Sequence, residues 1–320
     1  MQNNDWSRRE FLVSIPAMVA GVSALAHGQA KASGQGVAVK WSKGTELPQL
    51  KVPANAADCH HHIYDPERFP YDPNAMLKPG AATVADYRML QKRLGTTRNV
   101  IVQPSTYAVD NRCLVDSLKQ FGNSARGVAV VNTSVTDAEL KALNAAGVRG
   151  IRFNLAQGGG TTWEMVEVLA KRIMPMGWHI QIQADGRESL AHKEILNRVP
   201  CQIVFDHLAH VPEPDGVKSP VFAMVTEMLQ KGKAWVKLSE FDYESKVGPP
   251  TYADSLAVAS AYVKEAPERL VWGSDWSHPL FKDTEKPDDA MLLDLMLKVA
   301  PNEATRQMIF VTNPTKLYWS

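Results

Sequence analysis

Cysteine is scarce: Cys59, Cys113 and Cys201 are the only three in 320 residues, and no two are close neighbours. That excludes a disulfide framework and the paired thiolates of a zinc ribbon or finger. Charge of one sign is also missing, since 35 Lys and Arg stand against 34 Asp and Glu for a net +1. With no basic block, there is no electrostatic footprint for a nucleic acid or an anionic membrane. The apolar stretch from Phe11 to Ala26 is too short, and too rich in Gly and Ala, for a stable membrane anchor across roughly 30 Å of hydrocarbon. A glycine-rich phosphate loop is absent after the first candidate strand. In its place runs "DPERFPYDPNAMLKPGAATVADY", long and proline-rich. What remains is ordinary globular composition, 45% hydrophobic and 22% charged.

The opening of the chain is different in kind. "SRREFLVSIPAMVAGVSALAHGQA" places Arg8 and Arg9 ahead of the apolar stretch, with small residues near Ala30 and Ala32 suited to cleavage. This pattern reads as a twin-arginine signal, an address read by the export machinery. Residues 1–32 are therefore expected to direct a periplasmic or exported protein, 33–56 to form a linker, and 57–320 to form one domain. Export by this route follows folding, so any cofactor would be loaded in the cytoplasm.

From Ala57 onward, eight short β-branched runs alternate with amphipathic segments. The runs are 58–64, 99–103, 127–132, 150–154, 179–183, 202–206, 234–238 and 269–273. Alternation of this kind implies parallel β/α units with right-handed crossovers. Eight units in this length predict an α/β fold, a (β/α)8 barrel, whose catalytic groups come from the C-terminal ends of the strands.

Those ends carry polar residues. The first strand, within "ADCHHHIYD", offers His60 and His62, two apart and so on one face. His61 and Cys59 are expected on the other face. Next come Gln103 and Ser105, then Arg152, then Gln181 and Gln183. Asp206, His207 and His210 follow, then Lys237 and Ser239, and finally Asp275 with His278 beyond it. Singly, each has a plain alternative: a bonded core histidine, a helix cap at Asp275, a lysine reaching to the barrel rim at Lys237, or an ion pair at Arg152. Together they bring imidazoles from two strands and a carboxylate from a third to one mouth, where burial without purpose would be costly.

The blocks "DCHHH", "VFDHLAH" and "GSDWSHP", in this order, resemble the amidohydrolase superfamily. The likeness is to its lactone-processing branch, which includes 2-pyrone-4,6-dicarboxylate lactonase and D-galactarolactone isomerase. Further echoes are "GVRGIRFNL" and the terminal "NPTKLYW", and the resemblance spans about residues 57–318. It implies a hydrolase that opens a lactone ring. Asp275 would be the general base, and His60, His62 and His207 would polarise the carbonyl. Arg152, Ser105, Gln103, Gln183 and His210 would bind the small-molecule lactone.

This chain departs from the superfamily in its metal ligands. The fourth strand shows Arg152 where binuclear members carry a bridging lysine or glutamate. The fifth shows Gln181 and Gln183 where mononuclear members add a histidine, and His179 lies at its start. His60, His62 and Asp275 could still hold one divalent cation, zinc first, but the departures point to a metal-free site. Gly158, His210 and the acidic Glu240, Asp242 and Glu244 stand where further arginines are expected, which implies a substrate with one carboxylate or none. The alternatives are an aldarate lactone isomerase, a metal-dependent decarboxylase and a non-enzymatic periplasmic binding protein.

Overall fold

β-Branched residues favour extended backbone because their χ1 is restricted. Each of the eight runs is a strand in the computed structural model, which describes residues 36–156 and 160–320. The expected export signal, 1–32, lies outside the described residues. The strands are β1 Ala57–His61, β2 Arg98–Val102, β3 Ala125–Ala129, β4 Val148–Asn154, β5 His179–Gln183, β6 Ile203–Phe205, β7 Ala234–Leu238 and β8 Leu270–Trp272. They pair in parallel and in sequence order. The remaining seam closes just past β8, where the Asp275 N–H donates to His60 O and the His62 N–H donates to Trp276 O, each at 2.8 Å. The result is a nearly closed barrel with helices between the strands, consistent with a (β/α)8 barrel.

The helices begin and end where side chains supply what the backbone lacks. Helix Val84–Leu94 opens on a capping box between Thr83 and Asp86 and closes on Gly95 at φ 83°, a left-handed position that glycine adopts without a Cβ penalty. Helix Asp137–Ala145 opens on a second box, Thr136 with Glu139. Both boxes satisfy N–H groups that the first helical turn leaves unpaired.

β1 is not a regular strand. Its register against β2 slips between Asp58 and His61, a β-bulge. The bulge changes which side chains face inward. Cys59 joins Ala57, Val100, Val102, Val128, Val204, Trp235, Val271 and Tyr318 in one apolar cluster. Residues from β2–β3 and β6–β7 can share a cluster only inside the barrel. The expectation that Cys59 faces outward with His61 is thus corrected. One extra residue lets Cys59 and then His60 both point inward.

The interior is layered. The apolar cluster with Tyr318 fills the lower part. Above it lies a fully enclosed polar layer of Arg152, Gln181, Asp206 and Lys237, each at most 4% exposed.

Candidate active site

The histidine run divides according to the bulge. His61 turns outward, stacks on Tyr87 at 3.5 Å between ring centroids, and places Nε2 3.0 Å from Asn99 Oδ1. Asp58 also faces Tyr87. Its carboxylate accepts from the His60 N–H (3.1 Å), the Ser274 N–H (2.9 Å), the Ser274 hydroxyl (2.6 Å) and the Tyr87 hydroxyl (2.9 Å). Burial pushes its pKa up to about 6 in spite of these bonds. Asp58 thereby staples β1 to the segment that carries Asp275.

His60 and His62 turn inward and meet Asp275. Its Oδ1 lies 3.4 Å from His60 Nε2, 3.5 Å from His62 Nε2 and 3.8 Å from His207 Nε2. Burial alone would raise the Asp275 acid. The hydrogen bond from His62 and the surrounding imidazoles outweigh it and hold the group well below the usual carboxylate range. Asp275 is therefore an anion ringed by imidazoles.

Backbone strain marks the same mouth. Asp275 sits at φ 59°, and His207, Leu208, Ala209 and His210 run at φ 46°, 56°, 60° and 47°. Four successive non-glycine residues in left-handed conformation each cost about 1–2 kcal/mol. Strain of this kind gathers at sites where geometry matters more than stability. The turn places the His207 ring 4.5 Å from that of His60 and 5.6 Å from that of His210. Ser239 Oγ (2.9 Å) and Glu240 Oε2 (3.3 Å) hold its Nδ1.

Beneath the mouth, Asp206 Oδ2 accepts from Arg152 Nε and from the Gln181 amide, both at 3.0 Å. Lys237 donates to Gln181 Oε1 at 2.7 Å, lies 3.1 Å from His60 Nδ1, and sits 3.3 Å from Asp206 Oδ1. Burial would raise the Asp206 acid, but Lys237, His60 and Arg152 keep it well below its ordinary value. Lys237 does not reach to the rim as the plain reading supposed, because three strands supply partners for its cation inside. Strand-end alternation marked its position but not its burial. The Arg152 guanidinium is engaged with Asp206 through Nε before any substrate is considered.

The remaining predicted residues are spread around the mouth. Gln183 Oε1 is 3.0 Å from His210 Nε2, while His210 Nδ1 is 3.3 Å from Glu244 Oε1. Gln103 spends its amide on Asp110 O at 2.8 Å, and Ser105 opens the short turn Ser105–Tyr107. Neither is placed against Asp275 by any described contact. Of the three acids after β7, burial and neighbouring carboxylates push Glu240 and Asp242 upward, towards the neutral form. They add less negative charge than their sequence suggests. Gly158 lies outside the described residues.

His60, His62 and Asp275 bring one donor atom each within 4.8 Å, as do His60, Asp206 and His207, so groups able to hold a divalent cation are present. His62 suits that role, since its Nδ1 donates to Val102 O at 2.8 Å and leaves Nε2 for a ligand. His60 Nδ1 already faces Lys237 Nζ at 3.1 Å. In the second group, Asp206 is already committed to Arg152, Gln181 and Lys237.

Known proteins carry the same frame. A family profile described as amidohydrolase matches residues 57–319. A 2-pyrone-4,6-dicarboxylate hydrolase of Comamonas testosteroni is 36% identical over 290 residues, 87% of this chain and 95% of that protein. A 4-sulfomuconolactone hydrolase of Rhizobium radiobacter is 32% identical, over 83% of this chain and 91% of its own. A D-galactarolactone isomerase of Agrobacterium fabrum is 31% identical, over 85% and 93%. A solved apo structure from Agrobacterium tumefaciens superposes with a TM-score of 0.81 at 29% identity, covering 88% of this chain and 99% of that one. With its site residues falling on the barrel mouth and its sequence matched from β1 to the C-terminal helix, the chain belongs to the amidohydrolase family.

Proposed function

We propose that the protein is a hydrolase that opens a lactone ring by adding water to its carbonyl. The observation that carries this reading is the convergence of three imidazole Nε2 atoms on one oxygen of a buried, ionised Asp275. The relatives named above support it, since two are hydrolases of lactones and one is a lactone isomerase. They favour neither decarboxylation nor a non-catalytic binding role.

Water would sit between Asp275 and the carbonyl carbon. Asp275 takes a proton from it as the new C–O bond forms, and the carbonyl oxygen becomes an oxyanion. N–H groups of the imidazoles stabilise that charge, a contribution of about 10²–10³ in rate per donor. The ring C–O bond then breaks, and the proton on Asp275 passes to the departing alkoxide. A carboxylate held so far down is a weak base, so the imidazoles must carry much of the barrier.

Two buried cations, Arg152 and Lys237, face one carboxylate, Asp206, in the layer below. Their surplus positive charge suits a lactone bearing a carboxylate, and the shift of Glu240 and Asp242 towards neutrality removes part of the opposing charge.

Asp275→Asn keeps the size and removes the base. In a screen of mono- and dicarboxylated lactones, kcat of this variant should fall by at least about 10³-fold, and full activity would refute the mechanism. Labelled water separates the two chemistries of the relatives. A hydrolase leaves solvent oxygen in the product carboxylate, whereas an isomerase leaves none.

A further inference from the structure

We infer that Lys237 is a positioning residue. It holds His60 in the tautomer that carries its proton on Nε2, so that His60 presents an N–H donor to the barrel mouth instead of a lone pair to a metal. The use of that donor rests on the lactone reading; the tautomer itself does not.

The inference follows from counting donors and acceptors around one enclosed cation. Lys237 is 0% exposed, so its three N–H groups must find partners inside the barrel. Gln181 Oε1 takes one at 2.7 Å. The Gln181 orientation is fixed independently, because its amide nitrogen donates to Asp206 Oδ2 at 3.0 Å. Asp206 Oδ1, at 3.3 Å, supplies the countercharge. The third partner is His60 Nδ1 at 3.1 Å. An ammonium can only donate, so Nδ1 must offer its lone pair, and the ring proton resides on Nε2.

The opposite tautomer would place a proton on Nδ1, facing either the ammonium or Asp206. Asp206 Oδ1 is 3.2 Å from Nδ1 but out of line for a hydrogen bond. A neutral amine at Lys237 could accept from Nδ1–H, but Asp206 Oδ1, 3.3 Å away, would then lose the cation that faces it. The Nε2–H tautomer avoids both conflicts.

Side-chain ¹⁵N spectra of the full-length protein test this directly. In the wild type the His60 signal, assigned by its loss in His60→Gln, should show an unprotonated Nδ1 and a protonated Nε2. A protonated Nδ1 would overturn the proposal whether or not any lactone is turned over. Lys237→Met removes the donor with little change in length. The proton should then move to Nδ1, toward Asp206, and zinc affinity measured by calorimetry should rise at least about tenfold. On a lactone substrate kcat should fall by about 10²-fold with KM little changed. An unchanged His60 tautomer in that variant would also overturn the proposal. Should Lys237→Met fail to fold, the wild-type spectrum still decides.

Discussion

His278 and Asp289 form an ion pair sealed from solvent, with Nε2 3.1 Å from Oδ1 and both side chains 1% exposed. Burial works against the imidazolium, but Asp289 outweighs it and raises the His278 pKa above its ordinary value near 6.5. A histidine raised on folding contributes stability that is fully present below the unfolded pKa and is lost as pH rises through the folded one. The urea-unfolding gap between wild type and His278→Gln should therefore be largest near pH 6 and shrink by pH 9, and a gap independent of pH would rule the pair out. The sequence showed His278 next to Asp275 but gave no means of finding Asp289, which arrives from the following helix. Lys237 was hidden for the same reason. Whether a charged side chain is enclosed depends on partners that β1, β5 and β6 bring to it, and strand-end reading sees only its own strand.

At the level of elements, strand positions were legible because β-branched runs are local. β5 and β7 fall on the residues expected, 179–183 and 234–238. The bulge in β1 was not legible, since it exists only in the pairing with β2. Nor was the left-handed turn 207–210, which holds no glycine to announce it. The bulge brings His60 against the chain beyond β8, and Gly273 permits that approach. A Cβ on Gly273 would lie 2.6 Å from His60 Cβ and 2.9 Å from His60 N. Gly273→Ala should thus prise the β1–β8 seam apart. Overpacking of this kind costs about 1–3 kcal/mol. A displacement near 1 Å between His60 and Asp275 should lower kcat by about 10²-fold. Thermal unfolding and steady-state kinetics on one preparation would check both effects, and wild-type turnover in this variant would show that the seam does not set the site.

For the molecule as a whole, the described part of the expected linker, 36–56, is bound to the barrel. The Trp276 indole N–H donates to Lys40 O at 2.8 Å, one residue from Asp275. The N–H groups of Gln49 and Leu50 donate to Asp294 at 3.0 and 2.8 Å. Arg93 gathers the rest, donating to Glu46 O (2.9 Å), Ser42 Oγ (3.2 Å), Lys43 O (2.9 Å) and Asp288 Oδ1 (2.7 Å). One enclosed guanidinium thus joins the strap, the helix Val84–Leu94 and the cap of helix Asp289–Asp294. Arg93→Met keeps much of the side-chain packing and strands two carbonyls and a carboxylate. Breaking a fully buried pair costs about 3–5 kcal/mol. Asp288 is 26% exposed, so solvent recovers part of that, and a loss of about 2–4 kcal/mol is expected. Limited proteolysis should cut the variant within 36–56 before the barrel is touched. Activity should fall with it, because the strap holds the ring of Trp276 beside Asp275. A variant that resists cleavage there, with wild-type unfolding, would mean that the strap is held by its apolar contacts alone.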